Sequence, residues 1–208
     1  VRKLEINPII LICSTSEVYG TVKKENTPIS EKNIINPASP YAVSKTFQDL
    51  LSQTYYKNFN LKIIITRMFS YFNSRRNNLF SSNWANQIAE IEKGKNKILK
   101  HGNLNSIRTI IGINDAMEAY WKAATLGRIG QIYNIGGGKT VKIKKILDLL
   151  KKMSYVKIKT KIDKKLLRKT DVTLQIPDCS KFMKHCNWKP KEKFEKSLKN
   201  LLEDFRNK

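Results

Sequence analysis

The sequence predicts an α/β protein: the later strands of a doubly wound parallel sheet, followed by a smaller α/β unit. Three observations predict it. Residues 9–13 and residues 62–67, the latter centred on Ile63-Ile64-Ile65, are short continuous apolar runs of β-branched character, the pattern of strands covered on both faces. Between them, Ser39-Pro40 offers a capping hydroxyl and a proline suited to the first helical position. Strand, helix and strand in that order imply a parallel crossover unit.

The elements follow in chain order. Behind the first strand, residues 14–20 are polar, and a long loop with Pro28 and Pro37 leads to a helix expected over about residues 40–58, with Val43, Phe47, Leu50, Leu51 and Tyr55 on one side. Residues 73–78 read as a loop holding Arg75-Arg76, and residues 82–93 as a helix ending near Gly94. Residues 107–111 are extended, Asn114-Asp115 can cap a helix reaching Leu126, and residues 131–135 form another strand. Gly136-Gly137-Gly138 reads as a strand-to-helix turn, because it lacks the G-x-G-x-x-G spacing of a phosphate loop and the acidic residue downstream. A helix over residues 141–153 and a strand over 156–162 come next, and Phe194, Leu198, Leu201, Leu202 and Phe205 make a last helical stripe.

Composition narrows the function classes. With 40% hydrophobic and 9% aromatic residues the chain is too apolar to stay disordered, even at a net charge of +23. Such a charge attracts polyanions only when it gathers on one face. Here 32 of the 40 basic residues are Lys, spread over both halves of the chain, so solvated surfaces are the reading and nucleic-acid binding is set aside. Cys13, Cys179 and Cys186 stand singly, without metal-ligand spacing or a disulfide framework, which fits a reducing cytoplasm. His101 and His185 lack partners at ligand spacing, so no metal site is expected. No run reaches the roughly 18 apolar residues of a membrane span. The chain opens on Val1, almost directly before a strand, so further sequence upstream is expected.

The chemistry concentrates in two segments. Tyr41 and Lys45, four apart in Tyr41-Ala42-Val43-Ser44-Lys45, share one face of the expected helix. A nearby ammonium favours the phenolate, bringing a tyrosine from about pH 10 toward the range of proton transfer. Taken alone the spacing is weak, since an exposed Lys on an amphipathic helix gives the same pattern. The run Ser14-Thr15-Ser16-Glu17-Val18-Tyr19-Gly20 adds weight, because it follows a strand at its carboxyl end, where open α/β sheets bind ligands. Thr15 offers a hydroxyl there and Glu17 a carboxylate.

These segments, with Asn36-Pro37-Ala38-Ser39-Pro40 leading into Tyr41, resemble the extended short-chain dehydrogenases/reductases, the NAD-dependent epimerase/dehydratase family acting on nucleotide sugars. Gly102-Asn103-Leu104-Asn105-Ser106-Ile107-Arg108, Asp115 with Ala119-Tyr120, Tyr133-Asn134-Ile135, Leu167-Arg168-Lys169-Thr170-Asp171-Val172 and Trp188-Lys189-Pro190 extend the likeness, most specifically to GDP-mannose 4,6-dehydratases and GDP-4-keto-6-deoxymannose reductases. The resemblance implies a Rossmann-type dinucleotide domain over residues 1–70 and 107–136, with its Gly-rich first unit upstream of this chain, and a nucleotide-sugar domain over 71–106 and 137–208. It implies NADP or NAD as cofactor, a nucleotide-sugar substrate such as GDP-mannose or its 4-keto-6-deoxy derivative, and a homo-oligomer paired through helices that include the one bearing Tyr41 and Lys45. By the same likeness Thr15, Glu17, Tyr41 and Lys45 are catalytic, Tyr41 and Lys45 meet the cofactor, and Ser16, Arg108 and Arg168 meet the substrate. Dehydration at C5 and C6, a lyase reaction, is the favoured activity. Reduction of the 4-keto sugar or epimerisation is the neighbouring alternative, and an inactive binding protein that keeps the fold is the alternative from another class. Ser70-Tyr71, Thr109 and Lys169 depart from the residues usual at their places.

Overall fold

The computed structural model describes residues 1–4, 6–167 and 172–208. Its first layer is a parallel sheet in the order β1 (Ile10–Thr15), β2 (Ile63–Met68) and β6 (Ile132–Ile135). Ile10 stands opposite Ile63 and Thr15 opposite Met68, so the carboxyl ends of β1 and β2 are level. The crossover between them is α1 (Pro40–Phe59), as the Ser-Pro start predicts. The Ser39 hydroxyl accepts the Ala42 amide at 3.1 Å, and Asn60 ends the helix in the left-handed conformation at φ 54°.

The expectation of strands covered on both faces holds for β2, buried along its whole length, but not for β1. Among the described residues β1 is the edge strand of its sheet; its apolar residues are half-buried and Cys13 is exposed. Side chains of β2 alternate between the two faces. Ile64 and Met68 join Ala116, Ala119 and Ala123 of α3 (Ile113–Leu126) and Phe182 of α5 (Ser180–His185) in one apolar cluster, while Arg67 points to the α1 side.

The second layer is built on β5 (Ile107–Ile111). It pairs in parallel with β3 (Ser70–Tyr71) and β9 (Leu174–Gln175), and antiparallel with β7 (Lys139–Lys142). A separate parallel ribbon joins β4 (Ile98–His101) to β8 (Lys159–Ile162). The helices α2 (Phe80–Glu92), α4 (Ile143–Met153) and α6 (Phe194–Arg206) enclose a core that includes Trp84, Ile88, Ile146, Leu150, Leu198, Leu202 and Phe205. Arg206 clamps α6 to α2, its Nε and Nη2 donating to the Glu92 carboxylate at 2.8 and 2.7 Å.

Two local expectations change. The three-glycine turn leads first into β7 and only then into a helix, because residues 139–142 complete an antiparallel ladder with β5. Gly138 is needed there: a Cβ would stand 2.3 Å from the Ile110 carbonyl oxygen. Asp115 sits in the first turn of α3 but does not cap it; its carboxylate accepts the amides of Lys191 at 3.0 Å and Glu192 at 2.9 Å, tying the segment before α6 to α3.

Candidate functional site

The candidate site lies at the carboxyl end of β1, where the chain turns sharply through a 3-10 helix, Ser16–Tyr19. Thr15 caps that turn, its hydroxyl accepting the Glu17 amide at 3.3 Å. Thr15 and Ser16 are buried and Glu17 half-buried. Gly20 closes the turn at φ 60°, and a Cβ there would overlap the Asn36 carbonyl oxygen at 1.8 Å. Only glycine therefore lets residues 36–39 lie against the turn, and the Asn36 amide donates to Val18 O at 2.9 Å. These contacts bring the start of α1 beside Thr15 and Glu17.

Within α1, the Lys45 ammonium donates to the backbone carbonyl of Cys13 and to Gln48 Oε1, both at 2.9 Å. The helix residue is thus anchored to β1 two residues before Thr15. Tyr41 is 46% exposed at the helix start. It lies, with Cys13 and Tyr71, within electrostatic reach of Tyr120, whose phenol is pushed up chiefly by burial and further by those three groups.

Ser16 connects to the second layer. Its hydroxyl accepts from Gln175 Nε2 at 3.2 Å, and Gln175 on β9 stands opposite Arg108 on β5. Arg108 is half-buried and donates to the carbonyls of Ile107, at 3.0 Å, and Val172. The β5–β9 pairing therefore brings Arg108 toward the same end of the molecule as Ser16. Arg168 lies outside the described residues. Arg75 and Arg76 are exposed in a loop organised by Asn73. A cavity of about 280 Å³ lies apart from the candidate residues, lined by Gly137, Gly138, Lys139, Glu192, Phe194 and Glu195 among others. Its lining includes none of Thr15, Glu17, Tyr41 or Lys45.

Sequence reading missed the buried polar cluster beneath these residues. Arg67 and Asp49 form an ion pair whose side chains are 2% and 0% exposed. Ser14, Tyr19 and Asn134 complete the cluster. A signal was present: an arginine inside the fully buried run Ile-Ile-Ile-Thr-Arg-Met requires an anionic partner.

The model of the family described as GDP-mannose 4,6 dehydratase matches residues 1–201. The chain belongs to that family. Among curated members of the wider group, it is 25% identical over 197 residues to the GDP-6-deoxy-D-mannose reductase of Pseudomonas aeruginosa, covering 94% of this chain and 65% of the relative. It is 29% identical over 204 residues to the dTDP-glucose 4,6-dehydratase of Haemophilus influenzae, covering 91% of this chain and 58% of that one. The chain thus spans less than two thirds of the length of these two curated relatives. The fold agrees with the solved structure of RMD from Pseudomonas aeruginosa complexed with NADPH, at a TM-score of 0.91 and 24% identity over 99% of this chain and 69% of that one. A dTDP-glucose 4,6-dehydratase from Bacillus anthracis, solved in complex with NAD, superposes at a TM-score of 0.81 with 22% identity over 96% of this chain and 62% of that one. The α/β fold with its parallel Rossmann-type sheet is therefore the one the sequence predicts. Among the described residues, no helix is long and apolar enough to cross a membrane.

Proposed function

We propose that the protein is a sugar-nucleotide 4,6-dehydratase acting on GDP-mannose, with Thr15, Glu17, Tyr41 and Lys45 as its catalytic residues. The observation that carries this is the seating of α1 against the Ser16–Tyr19 turn, with Lys45 tied to β1 through Cys13 O. A phenol, an ammonium, a hydroxyl and a carboxylate then come from adjoining segments at the carboxyl end of a parallel sheet. Residues 1–70 and 107–136 would form the dinucleotide part, and 71–106 and 137–208 the nucleotide-sugar part.

NADP or NAD, when bound, supplies reversible hydride acceptance from C4 of the hexose and return to C6. Lys45 fits such a group: an ammonium has three donors, Cys13 O and Gln48 Oε1 take two, and the third can hold a ribose hydroxyl. Tyr41 accepts the proton of the 4-hydroxyl, and Thr15 holds that oxygen. The 4-ketone acidifies C5; Glu17 takes the C5 proton and passes it to the departing C6 hydroxyl, which leaves as water. Reprotonated from solvent, Glu17 then delivers a proton to C5 as hydride returns to C6, and Tyr41 releases its proton to solvent. Ser16, Arg108 and Arg168 bind the nucleotide sugar, the arginines as planar donors to its diphosphate.

A homo-oligomer belongs to the same proposal. Val43, Phe47, Leu50 and Leu51 face solvent on α1, and Phe47 is 66% exposed, so a second copy would bury them. The likeness to the Pseudomonas reductase favours one second reading, reduction of a 4-keto sugar with Tyr41 and Lys45 but no C5 chemistry.

The test incubates the full-length protein with GDP-mannose, dTDP-glucose and UDP-glucuronate in parallel and identifies the products. A 4-keto-6-deoxy sugar from GDP-mannose, without net cofactor consumption, is expected. Tyr41→Phe and Glu17→Gln should each lower the rate about 100-fold or more. Stoichiometric oxidation of NADPH with a keto sugar, and no dehydration, would establish the reductase in its place.

A further inference from the structure

We propose that Asp49 and Arg67 are positioning residues: one buried ion pair fixes the three segments that bear Thr15, Glu17 and Tyr41 with Lys45. This rests on the functional reading above and adds to it two side chains that touch none of the reacting atoms.

The pair is bidentate, with Arg67 Nε donating to Asp49 Oδ2 at 2.8 Å and Nη2 to Oδ1 at 3.1 Å. Stability alone explains it poorly. Taking two charges out of water costs several kcal/mol per ion, and apolar residues of similar volume often serve the fold as well. The other bonds show where the pair acts. Asp49 Oδ2 also accepts from Ser14 Oγ at 2.8 Å, one residue before Thr15 on β1. Arg67 Nη1 donates to the Tyr19 hydroxyl at 3.0 Å, two residues beyond Glu17. Asp49 itself stands one helical turn after Lys45 and two turns after Tyr41.

The Tyr19 hydroxyl then donates to Asn134 Oδ1 at 2.7 Å, and the Asn134 amide to Glu31 Oε1 at 2.9 Å, so the turn is also fixed to β6. Burial pushes the Tyr19 phenol up to about 12 against the opposing pull of Arg67, which keeps it a neutral donor near pH 7. Strand, turn and helix thus meet at a single guanidinium–carboxylate pair. Without it, Lys45 to Cys13 O and Asn36 to Val18 O still hold α1 near the turn, but the orientation of Thr15 and Glu17 relative to Tyr41 loses its buried reference.

The test compares wild type with Asp49→Asn, Asp49→Glu, Ser14→Ala and Tyr19→Phe in the full-length protein. Hydrogen exchange is read in residues 15–20 and in α6, and kcat and KM are measured on the nucleotide sugar that wild type turns over. Asp49→Asn should speed exchange in residues 15–20 about tenfold while α6 is unchanged. Its kcat should fall about 100-fold with KM nearly constant, the signature of misplaced reacting groups. Asp49→Glu should restore part of kcat, and the milder Ser14→Ala and Tyr19→Phe, which keep the ion pair, should each reproduce a smaller share of both effects. Unchanged exchange in residues 15–20, or α6 exchange rising equally, would overturn the proposal. If wild type turns over no nucleotide sugar, the functional reading fails, and the exchange comparison still decides whether the pair fixes the turn.

Discussion

Helices α1 and α6 carry similar stripes of large apolar residues, and the protein uses them in opposite ways. Phe194, Leu198, Leu201, Leu202 and Phe205 of α6 are all buried in the core shared with α2 and α4. In α1, Val43, Phe47, Leu50 and Leu51 face solvent, while Ala42, Thr46, Asp49 and Ser52 turn inward. The ordinary rule for an amphipathic helix holds for α6 and is reversed for α1. The reason is the face each helix meets. Beside α6 lies apolar surface; beneath α1 lies the side of the sheet that presents Ser14, Arg67 and Asn134. A helix seated over buried charge must offer polar groups inward, and its apolar stripe then faces outward.

The contrast can be broken by experiment, beginning with the largest effect. Leu202→Ala should cost about 3 kcal/mol in denaturant unfolding. Leu50→Ala should cost under about 0.5 kcal/mol in the dissociated protein, as expected for a partly exposed site. Equal losses would mean that α1 also buries its apolar stripe within one chain. Phe47→Glu should lower the mass found by light scattering to that of a single chain, with little change in its unfolding midpoint. An unaltered mass would remove α1 from the assembly surface.

A smaller effect is set by pH. Burial alone would raise the Glu92 carboxyl, but hydrogen bonds from Arg206, the Tyr155 amide and Ser154 outweigh it and hold Glu92 below the usual carboxylate range. A depressed folded value means that this contribution is present above the unfolded value, near 4.5, and is lost as pH falls through the folded one. Glu92→Gln should therefore narrow the stability gap to wild type in acid, by unfolding measured between about pH 5 and pH 2. A gap independent of pH would show that Arg206 and Glu92 contribute only packing.

Much of the frame was legible in the sequence because its signals are local. Ser39-Pro40 places the start of α1, the isoleucine run places β2, and the spacing of Phe194 to Phe205 places α6. What escaped depends on partners distant in sequence. Residues 139–142 look like the run-in to a helix, and only pairing with β5 makes them a strand. The ribbon strand β4 is four residues long and buries only Leu99 and His101, too brief a pattern to stand out. Asp115 has the sequence position of a capping residue, yet the amides it receives come from residues 191 and 192.

The candidate site divides the same way. Thr15, Glu17, Tyr41 and Lys45 sit in short, recognisable runs. The supporting group, Ser14, Tyr19, Asp49, Arg67 and Asn134, is scattered over 120 residues of chain and assembles only when β1, α1, β2 and β6 meet. The inward orientation of α1 follows from that assembly, so apolar periodicity could not supply it.

The most direct measurement runs the reaction on GDP-mannose in D2O and locates the isotope in the product by mass spectrometry and NMR. Reprotonated from solvent between abstraction and return, Glu17 should leave one deuterium at C5 of a 4-keto-6-deoxy sugar, and Glu17→Gln should slow product formation about 100-fold or more. A product with no deuterium at C5, or turnover that survives Glu17→Gln undiminished, would contradict the role of the β1 turn in the chemistry.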